Sequence, residues 1–278
     1  MRSKLLKKIF IYALLFGLGF LFLFPFLWMI STSVKPIEET MSKTPKFFVW
    51  PLQFENFVKC MNYENFSFLL YARNTLYLCF FSVLGIVLSS SLAAYGFSRI
   101  RWKGRNMVFI GTLMTMMIPF PVLMIPLYSL FRTYGWIGTY KPLWVPCFFG
   151  SAFSIFLLTQ FFKTIPHQLS EAAHVDGASE FRIYLQIILP LAKPALLVVG
   201  LFQFMATWND FLGPLIYLPD QSTFTLALGL QFFQSQHGGT EWNLLMAAST
   251  LVILPVMLLF FLTQKSFIEG ISLTGLKG

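Results

Sequence analysis

Residues 74–97 read NTLYLCFFSVLGIVLSSSLAAYGF, with no Asp, Glu, Lys or Arg. At about 1.5 Å of rise per residue, a helix of this length matches the hydrocarbon thickness of a bilayer. No water replaces a lost backbone hydrogen bond in hydrocarbon, so such a segment must pair its peptide groups internally, as an α-helix. Five more stretches read the same way: Ile9 to Ile30, Met107 to Leu130, Pro142 to Phe162, Ala195 to Leu218 and Leu244 to Thr263. None of them holds Lys or Arg. Of 278 residues, 56% are hydrophobic and only 11% charged, too few charges to cover the surface of a water-soluble domain. The expected fold is therefore all-α, a polytopic membrane protein with six transmembrane helices.

The first stretch follows a basic leader, MRSKLLKK, but its apolar run is longer than the ~7–15 residues of a cleaved signal, so it reads as a retained helix. Counting Lys and Arg on alternate sides of the six spans gives 13 on the side of both termini and 7 on the other. The basic side faces the cytoplasm, which puts both termini there. The chain then divides into an N-terminus with the first helix (1–31), an extracytoplasmic loop (32–72), a transmembrane core (73–264) and a cytoplasmic tail (265–278). The outer loop from Pro219 to Asn243 carries no Lys or Arg.

The net charge of +9 does not indicate a nucleic-acid partner, because the surplus lies between apolar runs rather than on one polar face. Cys60, Cys79 and Cys147 form no CxxC pair and read as packing residues. His167, His174 and His237 show no metal-ligand spacing.

Within the spans, Ser82, Gly85, Ser89, Ala93 and Gly96 form a small-residue seam at helical spacing, suited to close helix approach. Pro119, Pro121 and Pro126 each remove a backbone donor, so the third span must kink or break. In the fifth span Gln203, Thr207 and Asp210 share a stripe with Asn209 beside them. A mid-membrane aspartate costs ~2.5–3.5 kcal/mol and needs a partner or water. These four are candidate path residues. Alternatively, Asp210 sits near the outer end and bonds backbone at a break made by Gly213-Pro214.

Between the fourth and fifth spans lies KTIPHQLSEAAHVDGASEFRIYLQIILPLAK, residues 163–193. Ser170 is suited to cap a short helix with Glu171 in its first turn, and Gly177 to stop it. A second helix from about Ala178 to Leu189 has Phe181, Tyr184, Leu185 and Ile188 on one face and ends at Pro190. Ala172 and Ala173 give the first helix a thin edge, and Glu171 and Asp176 offer acceptors. That shape suits either a plug for a partner's cleft or a connector lying on the membrane surface.

Residues Glu171 to Ala195 closely resemble the EAA motif of permease subunits of ATP-driven, binding-protein-dependent (ABC type I) importers. Glu171, Ala172, Ala173, Asp176, Gly177, Ala178, Ile187, Leu189 and Pro190 match it, with Tyr184 where many members have Phe. WNDFLGPLIYL from Trp208, MAASTLVILPVMLLFFLTQKSFIEG from Met246, and the closing GLKG look like the carbohydrate, maltose-permease branch. The resemblance implies a chain in a prokaryotic cytoplasmic (inner) membrane, partnered by a second homologous permease, an ATPase dimer and an extracytoplasmic solute-binding protein. It implies that Glu171, Ala172, Ala173, Asp176, Gly177 and Ala178 dock in a cleft of the ATPase, and that the tail from about Phe267 reaches between the two ATPases. It further implies that the Pro219–Asn243 loop, with Phe224, Phe232, Phe233 and Trp242, meets the binding protein.

There is no GxxxxGK[ST] loop, so ATP and Mg belong to the partner ATPase; this chain is expected to hold no cofactor and to perform no bond chemistry. Two alternatives stay open. The same machinery serves glycerol phosphate, amino acids or peptides. An integral-membrane lipid enzyme needs acids, bases or metal ligands gathered at one depth, and Asp210 alone among the spans supplies one.

Overall fold

The computed structural model describes residues 2–63, 66–234 and 239–275, with side chains from residue 4 to residue 264 of these. Gln236, His237 and the side chains of the 265–278 tail, including Lys265, Phe267 and Lys277, lie outside the described residues. The main helices are α1 (Arg2–Ser33), α2 (Phe68–Ser98), α3 (Arg105–Met114), α4 (Phe120–Thr133), α5 (Ala152–Thr164), α6 (His167–Val175), α7 (Glu180–Ile183), α8 (Lys193–Trp208), α9 (Leu212–Tyr217) and α10 (Trp242–Gly275). A two-stranded antiparallel ribbon, Asn62–Tyr63 with Phe66–Ser67, precedes α2. Among the described residues, four segments are long and apolar enough to cross a membrane: Lys4–Ser33, Phe68–Ser98, Lys141–Thr164 and Trp242–Gln264. Two bent pairs, Arg105–Met117 with Phe120–Thr133 and Glu180–Leu191 with Lys193–Trp208, bring the number to as many as six.

Three expected spans are interrupted, each for a local reason. The third breaks by 98° at Ile118-Pro119, where Pro119 takes the extended N-cap conformation and Pro121 occupies the first turn of α4. The fourth is not one helix. A short turn and a 3₁₀ segment through Phe149 end at Gly150, whose φ of +82° favours glycine, and α5 restarts with Ser151 accepting the Ser154 N–H at 3.2 Å. The fifth stops at Trp208 and resumes at Leu212, so the break falls at Asn209–Phe211; Gly213 and Pro214 lie inside α9 rather than making the break.

The chain folds as two compact units. One comprises Met1–Leu69 with Gly229–Met257. Here the Asn56 amide donates to Ser33 O and Lys35 O, both at 2.9 Å, and accepts from Asn243 at 3.3 Å. The buried Lys35 ammonium donates to Lys46 O at 2.7 Å and lies 4.3 Å from the Trp28 ring centroid. Burial holds its pKa below the usual lysine range, against the opposing pull of Glu39. Phe233 stacks on Tyr63 at 5.2 Å and meets Phe66 at 4.9 Å, so it turns inward and is only 1% exposed. It is therefore unavailable as a docking aromatic.

The other unit comprises Leu70–Leu228 with Leu258–Gly278. Its core gathers Ile86, Ala94 and Tyr95 of α2, Leu158 and Phe162 of α5, Ala173 of α6, Ile183 of α7, then Tyr184, Ile188 and Val199. Residues 163–193 are thus built into the core and do not hang from it as a tether. The small-residue seam on α2 is used over only part of its length. Ser82 is buried, a Cβ on Gly85 would lie 2.5 Å from the Phe148 ring, and Ser89 donates to Cys147 O at 2.9 Å. Beyond Ser89 the buried side passes to Ser90, Ser91, Ala94, Tyr95 and Ser98, while a Cβ on Gly96 would meet nothing within 4 Å.

This difference is testable. Gly85→Val should overpack against Phe148 and cost about 1–3 kcal/mol, lowering the melting temperature in detergent. Gly96→Ala should leave it unchanged or raise it, by up to ~1 kcal/mol of helix propensity. Equal effects of the two substitutions would contradict the packing described.

Candidate functional site

Two places carry polar or exposed groups that packing alone does not require: the loop 163–193 and the break between α8 and α9. In the loop, α6 begins at His167 behind Pro166, one turn earlier than Ser170, which lies inside the helix and caps nothing. The reason is that Pro166 is already extended and carries no N–H to satisfy, so the helix starts directly behind it. Gly177 ends the corner with φ +77°, its N–H donating to His174 O at 3.0 Å. Ser179 then caps α7, accepting the Arg182 N–H at 3.4 Å.

The second helix departs from expectation. It starts at Glu180, passes through a π turn over Tyr184–Ile188 and continues to Leu191 before bending 79° into α8. Pro190 directly follows the widened π turn, and the helix runs one residue past it to Leu191 before the bend. The widened turn also changes which side chains face inward: Ile183, Tyr184 and Ile188 are buried, whereas Phe181 and Leu185 are exposed.

The motif residues divide in the same manner. Glu171, Ala172, Asp176 and Gly177 are exposed, and Val175 beside them is 88% exposed. Ala173 is buried in the chain's own core, and the half-buried Ala178 packs against that core. The thin edge expected of Ala172 and Ala173 together is half a seat and half a face, because adjacent helical residues point about 100° apart.

The loop is held by contacts that no local pattern signals. The Arg99 guanidinium donates to Phe162 O at 2.5 Å and Ile165 O at 2.6 Å, the carbonyl end of α5 where the helix dipole favours a cation. The Ser91 and Tyr184 hydroxyls are 2.7 Å apart. The Tyr95 hydroxyl donates to the Glu180 carboxylate, and also lies 3.2 Å from Glu180 O; the other carboxylate oxygen is 3.2 Å from His174 Nε2. No local pattern marks Arg99, and the Tyr95–Glu180 pairing spans 85 residues.

At the α8–α9 break, a cavity of about 300 Å³ is lined by Leu78, Phe120, Leu143, Gln203, Ala206, Thr207, Asp210 and Pro214. Gln203 donates to Thr207 Oγ1 at 3.0 Å and approaches Cys147 Sγ at 3.7 Å. Asp210 Oδ1 accepts the Gly213 N–H at 3.0 Å, so the aspartate both faces the cavity and caps the break. The backbone bond expected of the second reading is present, at a break that precedes Gly213 and Pro214. A Cβ on Gly213 would collide with that carboxylate and lie 2.9 Å from Leu143 Cδ2. Asn209 differs from the other three: it is exposed, donates to Met205 O at 2.8 Å and does not line the cavity. A wider groove of about 450 Å³ is walled by Val83, Val87, Leu197, Gly200, Leu201 and their neighbours and offers a polar solute little to bond.

Residues 222–226 are pinned to α2. Asn74 donates to Ser222 O at 2.9 Å and Phe224 O at 3.0 Å, and Thr75 Oγ1 accepts the Leu226 N–H at 2.9 Å. Asp220, which accepts the Ser222 N–H at 2.9 Å, is held below the usual carboxylate range by its bonds to the Ser222 backbone and hydroxyl.

Apolar helices broken around a polar cavity, with an exposed helix–glycine–helix at the loop, define the class: an integral membrane component of a transport system. The chain belongs to the family of binding-protein-dependent transport system inner membrane components, whose pattern it matches over residues 85–272. Among relatives, it is 34% identical to the trehalose/maltose transport system permease protein MalG of Thermococcus litoralis, over 100% of both chains. It is also 34% identical to the arabinooligosaccharides transport system permease protein AraQ of Bacillus subtilis, over 94% of this chain and 92% of that one. In fold it matches a solved bacterial ABC transporter involved in the import of the acidic polysaccharide alginate, with a TM-score of 0.82, 22% identity, and coverage of 95% of this chain and 98% of that one.

Asp210→Asn keeps an acceptor for Gly213, and Asp210→Ala removes it. The alanine variant should lose about 1 kcal/mol of stability relative to the asparagine variant, read as a lower melting temperature in detergent. Equal melting of the two would mean the carboxylate does not cap the break.

Proposed function

We propose that this chain is the permease subunit of an ATP-driven importer that moves a sugar or oligosaccharide across the cytoplasmic membrane of a prokaryote. It crosses the membrane six times, with both termini and the 163–193 loop in the cytoplasm. Its partners are a second, homologous permease, an ATPase dimer that holds ATP and Mg, and an extracytoplasmic solute-binding protein. The chain itself catalyses no bond change. The observation that carries this reading is the loop: α6 and its glycine corner present Glu171, Ala172, Asp176 and Gly177 outward, while Ala173 and Ala178 seat the same helix in the permease core. A helix anchored on one face and bare on the other is suited to enter a partner's cleft and transmit its motion as a rigid body. The sugar assignment is supported by the named substrates of the relatives and by full-length similarity to them.

In this reading Gln203, Thr207 and Asp210 line part of the solute path. Their acceptors and donors suit hydroxyl-rich solutes, and the broken helices around them absorb the opening and closing. Asn209 contributes on the exposed side of the same break. The 219–243 loop faces the binding protein.

Co-purification tests the docking face. Tagged protein expressed with its neighbouring gene products should retain an ATPase subunit. Glu171→Lys and Asp176→Lys should each reduce that recovery about tenfold or more, the scale expected for reversing a charge in an interface. Undiminished recovery from both variants would sink the docking reading.

Topology has its own measurement. Cysteines placed at Lys103 and Gln221 should react with an impermeant maleimide from opposite sides of the membrane. The native background is low, because Cys60 and Cys79 are buried and burial pushes the Cys60 thiol up to about 11. Labelling of both positions from one side would refute the six-span arrangement.

A further inference from the structure

The docking helix α6 is covalently joined to the core at both ends, yet its orientation depends on a corner, Asp176 to Ser179, that contains a left-handed glycine. A corner of this kind is a hinge unless something spans it. Glu180 does so. One carboxylate oxygen meets His174 Nε2 of α6 at 3.2 Å, on the near side of Gly177, and the other receives the Tyr95 hydroxyl of α2. Tyr95 is 3% exposed, and its ring contacts Tyr184 at 5.2 Å between centroids. Tyr184 is in turn tied to Ser91, one turn earlier on α2. We propose that Tyr95, Glu180 and His174 form a clamp that locks α6 to the end of α2 across the Gly177 corner, so that motion received by the docking face reaches the second membrane helix without loss at the hinge.

The clamp rests on the docking reading above and adds to it the route by which force leaves the loop. Its members are positioning residues; none of them touches solute or nucleotide. The clamp selects α2 as the helix driven, because α2 supplies both Ser91 and Tyr95, whereas α5 is held at its own carbonyl end by Arg99. The same α2 carries Leu78 in the wall of the polar cavity. A displacement at its Tyr95 end therefore arrives where the cavity is bounded.

The test uses paired spin labels at Val175→Cys on α6 and Leu92→Cys on α2, in a Cys147→Ser background. Distances are measured first on the permease in lipid nanodiscs, then on the full complex with a non-hydrolysable ATP analogue. The unsubstituted clamp should give a single distance that is the same in both states. Tyr95→Phe and Glu180→Ala should each raise a second, displaced population about fivefold to tenfold, the factor set by one ordinary net hydrogen bond. Glu180→Gln, which keeps an acceptor for Tyr95, should restore most of the single distance. A Tyr95→Phe distribution that matches the unsubstituted protein would overturn the clamp, and so would labels that separate on nucleotide binding with the clamp intact. Failure of the docking reading shows separately, as an ATPase that does not bind the unsubstituted permease. The nanodisc measurement then still decides the clamp.

Discussion

The structure depends on one constraint: in hydrocarbon, each peptide group released by a helix break must find a partner within the protein. The breaks here are answered individually. Asp210 accepts the Gly213 N–H where α8 gives way to α9. Ser151 accepts the Ser154 N–H where α5 begins, while the Ser89 and Ser90 hydroxyls of α2 reach Cys147 O and the Ser151 N–H on either side of Gly150. Asp210, Ser89, Ser90 and Ser151 thus stand beside irregular backbone. A polar cavity then forms at such a place with little extra desolvation, because its acceptors and donors are already required for repair.

The loop 163–193 obeys a different balance. Its buried side chains, Ala173, Ile183, Tyr184 and Ile188, place the cost of ordering a hinge-bearing segment against the gain from apolar burial and a few long-range hydrogen bonds. The outcome is a segment rigid toward the permease and bare toward the outside. Such an element can act as a lever, since a mobile loop would dissipate the displacement it received. The α2 helix unites the two regions: its N-terminal end binds residues 222–226, its middle packs on the 145–149 segment, and its C-terminal end grips α7.

The aromatic residues of the 219–243 segment, which the resemblance implies meet a binding protein, find partners within the chain. Phe233 is buried against Tyr63 and Phe66, and the half-buried Phe224 lies 6.2 Å from Tyr71. An aromatic ring in a loop gains more from a nearby apolar wall than from water, and the wall comes from residues over 150 positions away.

What the sequence alone determined is the set of properties that follow from near neighbours. Uncharged runs of bilayer length define the helices, Pro119 the break in the third of them, Gly177 the corner, and the spacing from Glu171 to Pro190 the family. Each reflects backbone geometry or hydrophobic length, which act over a few residues. Tertiary structure alone decided that the fifth span breaks at Asn209–Phe211, that a π turn carries the chain past Pro190, and that Ala173 faces inward while Ala172 faces out. It also decided that Tyr95, Ser91 and Arg99 hold the loop, and that Gln203, Thr207 and Asp210 share a cavity without Asn209. These outcomes turn on which distant group satisfies a peptide or fills a space, and one-dimensional spacing carries no information about that.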